Sequence, residues 1–418
     1  MWRALYTAAL SAALPLVLAR LWWRGRREPG YRRRIRERFG EYREGAERPV
    51  LWVHAVSVGE ARASAPLVRA LAAAHPEYEL LLTCMTAAGR EALRQVYGES
   101  VRVAWLPYDV PGAVRRFLEH FRPRLGVLME TEVWPNLLAG CRAFGVPVLL
   151  ANARMSQKSA RGYARWSGLT RPAFACLSAV CAQSEEDAAR LRALGAPRVA
   201  VTGNLKFDIA PDGVKHAAGR SWRARVGRPV LLLASTREGE ERALLDALGA
   251  AAGDALVVVV PRHPQRFDEV AALAQSRRSK GDAPGREDRV HLGDTMGEMD
   301  FYYGAADVAV IGGSFAPLGG QNLIEACAAG VPVVLGPSMF NFAEAARLAL
   351  DAGAALQAPD APGAMALAGE LLGDSARCAR MGEAGRKLCA AHRGATERHV
   401  AACQELLKTK SGTDHVFR

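Results

Sequence analysis

No two of the eight cysteines stand in a CxxC spacing. They fall at 84, 141, 176, 181, 327, 378, 389 and 403, mostly inside apolar runs. Such positions read as reduced core residues in a cytosolic compartment, which argues against a disulfide scaffold and against a zinc site. The chain also lacks a DxD, an HExxH and a P-loop, the usual sequence cues for metal-assisted chemistry. It lacks GxGxxG, which disfavours an NAD-dependent oxidoreductase. No repeat of fixed period is apparent. Negative charge is scarce: 43 Asp and Glu face 55 Lys and Arg, a net charge of +12. That excess implies an anionic partner such as a nucleotide, a nucleic acid or an anionic lipid.

What is present suffices for more than one core. The chain has 418 residues, half of them hydrophobic, so two domains are expected. The first stretch is unlike the rest. Ala4 to Ala19 is almost wholly apolar and broken by Pro15. Trp22 and Trp23 follow, then a basic block holding Arg24, Arg26, Arg27, Arg32, Arg33, Arg34, Arg36 and Arg38. A cleaved signal peptide has its charges before the apolar core, and here they come after it. The run is short for a span, so with the tryptophans at the interface it just crosses or lies in one leaflet. The positive-inside rule then puts the arginines and the remaining chain in the cytoplasm. The plain alternative is a buried amphipathic helix.

Beyond this anchor, apolar runs alternate with helical spacing, which implies parallel sheets covered on both faces. Expected strands are Val50–Val56, Glu79–Cys84, Val101–Leu106, Arg124–Met129, Val146–Ala151, Ala179–Ala182 and Val199–Thr202. A second series has Pro229–Ala234, Ala255–Val260, Asp307–Ile311 and Val331–Leu335, with Gln275–Arg289 as a charged surface loop. The boundaries that follow are an anchor and basic segment at 1–40, a first domain at 48–205 and a linker at 206–228. A second domain covers 229–407, and a frayed tail covers 408–418.

Several chemistry-bearing residues fall at the C-terminal ends of these strands, where open α/β sheets bind ligands. Glu60 sits at a strand-to-helix junction, where the helix dipole keeps a carboxylate ionised and able to accept a proton. Its ordinary alternative is a first-turn Glu that only complements the dipole. Glu130 and Glu132 end another strand, with a helix cap as the bland reading. His54 reads as a packed residue. Lys206 stands in the turn leaving the last strand, and Arg262 and His263 end a strand in the second half. Gly312, Gly313, Gly319 and Gly320 make a loop before a helix expected at Gln321–Ala329, closed by Gly330. That helix start favours an anion, and Asn322 and Glu325 share one of its faces. A metal-free transfer needs a base, a cation on the leaving group and donors to the departing phosphate. Glu60 supplies the first, Arg262 and Lys206 the second, and the helix near Asn322 the third.

The segments HAVSVGE (54–60), ETEVWPNL (130–137), NLKFD (204–208), PRHP (261–264), MGEM (296–299) and GGSFAPLGGQNLIEA (312–326) resemble the 3-deoxy-D-manno-oct-2-ulosonic acid (Kdo) transferases of lipopolysaccharide synthesis. They run in order along nearly the whole chain. The resemblance implies a GT-B glycosyltransferase, two Rossmann-like domains facing across a cleft, preceded by a membrane-anchoring helix. It implies an inverting, metal-independent reaction with no cofactor. The donor is CMP-Kdo and the acceptor the lipid A precursor, at the cytoplasmic face of the inner membrane with its anionic headgroups; nucleic acid is not a partner. It also implies roles: Glu60 as general base, Glu130 and Lys206 in transition-state stabilisation. Pro261, Arg262, Met296, Gly297, Glu298, Asn322, Leu323, Ile324 and Glu325 then hold CMP. Two other readings are a lipid-linked glycosyltransferase using a UDP-sugar and a membrane-bound nucleotide-binding scaffold without catalysis. A substrate panel separates the first, and tolerance of changes at Glu60 would mark the second.

Overall fold

The computed structural model describes residues 1–208, 210–249, 253–281 and 283–413. They form two units: Met1–Asp208 with the segment from Arg393 onward, and the chain between. In the first, β1 (Val50–His54), β2 (Glu79–Cys84), β3 (Arg102–Trp105), β4 (Leu125–Met129), β5 (Val148–Ala153), β6 (Ala179–Ala182) and β7 (Val199–Val201) make one sheet. All its pairs are parallel and the order is β3-β2-β1-β4-β5-β6-β7. The strands read as unbroken apolar runs because both faces are covered. Val50 and Trp52 point to one side, against Phe117, Phe121 and Leu138. Leu51 and Val53 point to the other, against Leu67 and Leu71. The strand order reverses between β1 and β4, so the crevice beyond their C-terminal ends is the switch point of this sheet.

The second unit repeats the plan with β8 (Val230–Thr236), β9 (Leu256–Pro261), β10 (Ser276–Arg277), β11 (Val290–Leu292), β12 (Val308–Ile311), β13 (Val333–Leu335) and β14 (Ala355–Gln357). The order is β10-β11-β9-β8-β12-β13-β14, again parallel throughout. Its switch point lies between β8 and β12.

Several expectations change. The charged stretch 275–289 is not only surface loop: it opens with β10 and a 3₁₀ turn at Arg278–Lys280. Charge is tolerated there because Arg277 pairs with Asp268 at 2.8 Å and with Asp294. The expected linker contains an α-helix, Gly213–Val226, started by the Asp212 side chain and ended by Gly227 at φ 74°. It crosses the helix Met299–Ala305 at two glycines. A Cβ on Gly219 would sit 2.0 Å from the Phe301 carbonyl oxygen, and one on Gly304 2.2 Å from that of His216. Gly219→Val is therefore expected to force the helices apart, at about 1–3 kcal/mol or more, read as a lowered melting midpoint; an unchanged midpoint contradicts this contact.

The third change is at the C-terminus. The helix Ala395–Thr413 belongs to the first unit, not the second. Cys403, Leu406 and Leu407 complete the core around Leu67 and Leu71. The Asp208 carboxylate accepts from Gly394 N at 2.8 Å and Thr396 N at 2.5 Å, fixing the helix start. The tail expected to fray from 408 is thus helical to Thr413, and 414–418 lie outside the described residues.

The N-terminal helix is longer than the apolar run suggested. Trp2–Arg27 is one helix of 26 residues through Pro15, about 39 Å at 1.5 Å per residue. Trp2–Arg26 is long and apolar enough, by length and composition, to cross a membrane. Both ends nevertheless pack on the rest of the first unit. Tyr6 Oη donates to Asp109 Oδ2 at 3.0 Å, and Trp2 meets Trp166 edge-on at 6.3 Å. At the far end Leu21 is buried, and Arg32 donates to the Trp22 carbonyl at 2.7 Å. Leu5, Leu16 and Trp23 face outward. The basic block begins inside that helix, at Arg24 and Arg26. It continues through 3₁₀ turns at Pro29–Arg32 and Ile35–Phe39, and Arg38 is buried, stacked 3.9 Å over Trp105.

Candidate active site

The turn after β1 places Glu60 at the first unit's switch point. Ser57 caps the helix Val58–Ala63 and Glu60 is its third residue, a capping-box spacing. Val56 N donates to Glu60 Oε2 at 2.9 Å and Ser57 Oγ to Oε1 at 2.9 Å. The capping role is therefore real, yet it does not keep the group fully ionised. Burial and then the charge of Glu130 push its pKa up to about 7, against the opposing bonds from Val56 and Ser57. A carboxyl that is half ionised at neutral pH matches what general base catalysis asks for.

Glu130 follows β4, the neighbour of β1. Its N–H donates to the Ala151 carbonyl at 2.9 Å and its φ is 59°. That backbone region costs a non-glycine residue about 1 kcal/mol or more, and here it turns the carboxylate toward Lys206. Lys206 Nζ lies 3.6 Å from Glu130 Oε1, with both side chains largely buried. Glu132 accepts from Trp134 Nε1 at 2.8 Å, and burial raises its pKa. Neither acid caps the next helix, Pro135–Ala143. Asp109 does, accepting from Asn136 N at 3.1 Å and Leu137 N at 2.7 Å. Sequence reading had no signal for Asp109, because its partners lie 27 and 28 residues away. His54 is packed as expected: it is fully buried against Thr83, and burial pushes its pKa down to about 3.

In the second unit the glycine loop lies at the switch point, but its N–H groups are already engaged. Gly320 N donates to Gly313 O at 2.7 Å and Gln321 N to Gly312 O at 3.1 Å. The buried carboxylate of Glu240 takes Gly313 N at 2.6 Å, Phe315 N at 3.0 Å and Arg237 N at 2.8 Å. The loop is held from within by that side chain, with those N–H groups not turned to a phosphate. A Cβ on Gly312 would lie 2.5 Å from Thr236 Cα, which is why the loop packs so closely on the end of β8.

The helix after the loop is shorter than expected, Ile324–Ala329, with Gly330 closing it at φ 77°. Asn322 precedes it: Oδ1 accepts from Ile324 N at 3.1 Å and Nδ2 donates to Glu325 Oε1 at 2.9 Å. Asn322 and Glu325 thus bind each other. Leu323 and Ile324 are buried at 0% and 2% exposure, so their side chains serve the core and only their backbone is left to meet a ligand.

Pro261 ends β9. Arg262 Nε donates to Gln321 Oε1 at 3.2 Å, joining that strand end to the glycine loop. Met296 is exposed, and Gly297 O accepts from Lys215 Nζ at 3.0 Å. Glu298 is gripped by Arg278 through two bonds of 3.0 Å, and that grip lowers its pKa. The candidate nucleotide residues therefore leave the C-terminal ends of β9, β11 and β12, which with β8 are contiguous in the sheet. Arg237, in the turn after β8, was not singled out from sequence, although it occupies the turn equivalent to that of Glu60. It runs beside Gly313, and burial followed by the charges of Arg237, Arg262 and Arg266 lowers the pKa of His263. This edge is markedly cationic.

A family model described as 3-deoxy-D-manno-octulosonic-acid transferase matches residues 33–209. A 3-deoxy-D-manno-octulosonic acid transferase of Bordetella pertussis is 50% identical over 97% of this chain and 100% of its own length. The chain belongs to the Kdo transferase family. Among solved structures, a glycosyltransferase from Rickettsia africae is similar with a TM-score of 0.59 at 11% identity, over 87% of this chain and 100% of its own. A putative UDP-N-acetylglucosamine 2-epimerase from Listeria monocytogenes has the same TM-score at 14% identity, over 87% of this chain and 97% of its own. These likenesses speak to fold alone: two parallel-sheet α/β domains of the GT-B kind, as expected.

Proposed function

We propose that this Kdo transferase moves Kdo from CMP-Kdo to the lipid A precursor of lipopolysaccharide, with inversion and without a metal. The observation that carries the reading is Glu60, a carboxyl with a pKa of about 7 beside the Glu130–Lys206 pair. Ionised Glu60 takes the proton of the acceptor hydroxyl. The freed oxygen forms a bond to the anomeric carbon of Kdo as the bond to the CMP phosphate oxygen breaks on the opposite face. CMP leaves with the electron pair. Lys206, held by Glu130, supplies positive charge near the reacting centre, and the basic edge of Arg237 and Arg262 faces the phosphate and the sugar's own carboxylate. One phosphate and one carboxylate are within what two guanidinium groups neutralise. Asn322, Glu325 and the Met296–Glu298 turn frame the nucleotide.

The test is incubation of the detergent-purified chain with CMP-Kdo and lipid A precursor, with and without chelator, beside a panel of UDP-sugars. The product mass is expected to rise by whole Kdo units, from CMP-Kdo alone and unaffected by chelator. Product only from a UDP-sugar sinks the donor assignment, and loss of product with chelator sinks the metal-free part.

The outward apolar face of the first helix, Leu5, Leu16 and Trp23 with Trp22, supports association with the cytoplasmic face of the inner membrane. Full-length protein is expected in the membrane fraction and to need detergent for release. Glu at positions 5, 16 and 23 together should shift it to the soluble fraction; wild-type protein found there without detergent or salt contradicts the assignment.

A further inference from the structure

Lys206 has no strand or long helix of its own; it lies in a 3₁₀ turn, Leu205–Asp208. What fixes that turn is a buried network centred on Asn152, near the end of β5. Asn152 adopts φ 51° where β5 slips register against β6. Its Oδ1 accepts from Leu205 N at 3.0 Å, immediately before Lys206. Its carbonyl accepts from Gln183 Nε2 at 2.8 Å, and Gln183 Oε1 in turn accepts from Asn204 Nδ2 at 3.0 Å. Asn204 Oδ1 accepts from Lys206 N itself at 3.0 Å. The neighbouring Ala151 carbonyl accepts from Glu130 N at 2.9 Å. Both members of the Glu130–Lys206 pair are thus hung from one two-residue stretch.

That stretch is held from behind by the C-terminal helix. Asn152 N donates to His399 Nε2 at 2.9 Å, and His399 Nδ1 lies 2.7 Å from the Ala395 carbonyl. Because Nε2 accepts, the imidazole is neutral with its proton on Nδ1. It is fully buried, and burial pushes its pKa down to about 4, so it stays an acceptor at neutral pH. Without it, the Asn152 N–H would be buried without a partner, and the left-handed backbone there would lose its support.

We propose that His399, acting through Asn152, is a positioning residue that sets Lys206 against Glu130 for transfer. This rests on the role given to Lys206 above. A misplacement of about 1 Å at a charge-stabilising group costs roughly 10²-fold. Three single variants and one double variant test it, with melting midpoints measured alongside single-turnover rates. H399Q, whose carboxamide oxygen reaches the place of Nε2, is expected to stay within about threefold of wild type. H399L removes the acceptor and is expected to lower the rate roughly 10- to 100-fold with the donor KM unchanged. In a K206A background, H399L is expected to lower the rate no further, because its target is gone. Should H399L fail to fold, N152G keeps the left-handed backbone while removing the bond to Leu205 N, and enters the same cycle. Equal losses from H399L with and without Lys206, or H399Q as poor as H399L, overturn the proposal. An unimpaired K206A overturns instead the role of Lys206 itself, so the two failures are distinct.

Discussion

Replacing Glu60 with Gln is expected to lower kcat by roughly 10²–10⁴-fold while leaving the affinity for CMP unchanged. Gln is the right probe because it fits the same bonds. Its oxygen accepts from Val56 N–H, and its amide turns to Ser57 Oγ, where Glu60 now holds both. The helix start is kept and only the basic group is lost. The variant should also melt no lower than wild type above neutral pH. The sign follows from linkage: a carboxyl whose folded pKa is raised toward about 7 loses stability as pH climbs from the unfolded value through the folded one. Removing its charge cannot cost that term. Near-normal turnover in E60Q refutes the base assignment, and a low rate together with a lowered melting midpoint at pH 8 would point to damaged structure.

Glu240→Leu should have the second largest effect, and on a different property. The side chain is 4% exposed and accepts three backbone N–H groups, those of Arg237, Gly313 and Phe315. Leucine leaves all three without an acceptor, at about 1–3 kcal/mol each. The loop would open, and with it the Arg262–Gln321 contact at the end of β9. The expected results are a strongly lowered melting midpoint for the second unit and loss of measurable CMP binding by calorimetry. E240Q, which keeps one good acceptor, should fall between. An E240L variant that melts and binds CMP as wild type does would show that the glycine loop is not held from within.

The strands of both sheets were legible because parallel strands buried on two faces leave long apolar runs, as in Val50–Val53 and Leu231–Leu233. The strands β10, β11 and β14 were not, being only Ser276–Arg277, Val290–Leu292 and Ala355–Gln357 with no longer apolar run around them, whereas the equally short β7 and β13 sit in the apolar runs 199–202 and 331–335. Gly213–Val226 was missed because its close approach uses glycine backbone; of its side chains, only Trp222 is a large buried one. In the candidate site, Glu60 could be found because a strand-to-helix junction is a local pattern. Its pKa could not, since the burial that raises it comes from tertiary packing and the neighbouring charge from Glu130, seventy positions on. Asp109, Glu240 and His399 were silent for the same reason: the Asn152–His399 bond spans 247 residues. Leu323 and Ile324 were placed at the nucleotide by the resemblance, and their side chains went to the core because the helix starts at Ile324.

The pH dependence of kcat/KM, compared between wild type and Glu130→Gln, tests most directly whether Glu60 is a base tuned by its neighbour. The wild-type profile should fall through a single ionisation near pH 7 as the pH is lowered, because the carboxyl must be ionised to act. In E130Q, with the neighbouring negative charge removed, that limb should move to lower pH even though the maximal rate drops. A profile flat from pH 5 to 8, or a limb that stays in place in E130Q, would contradict the account.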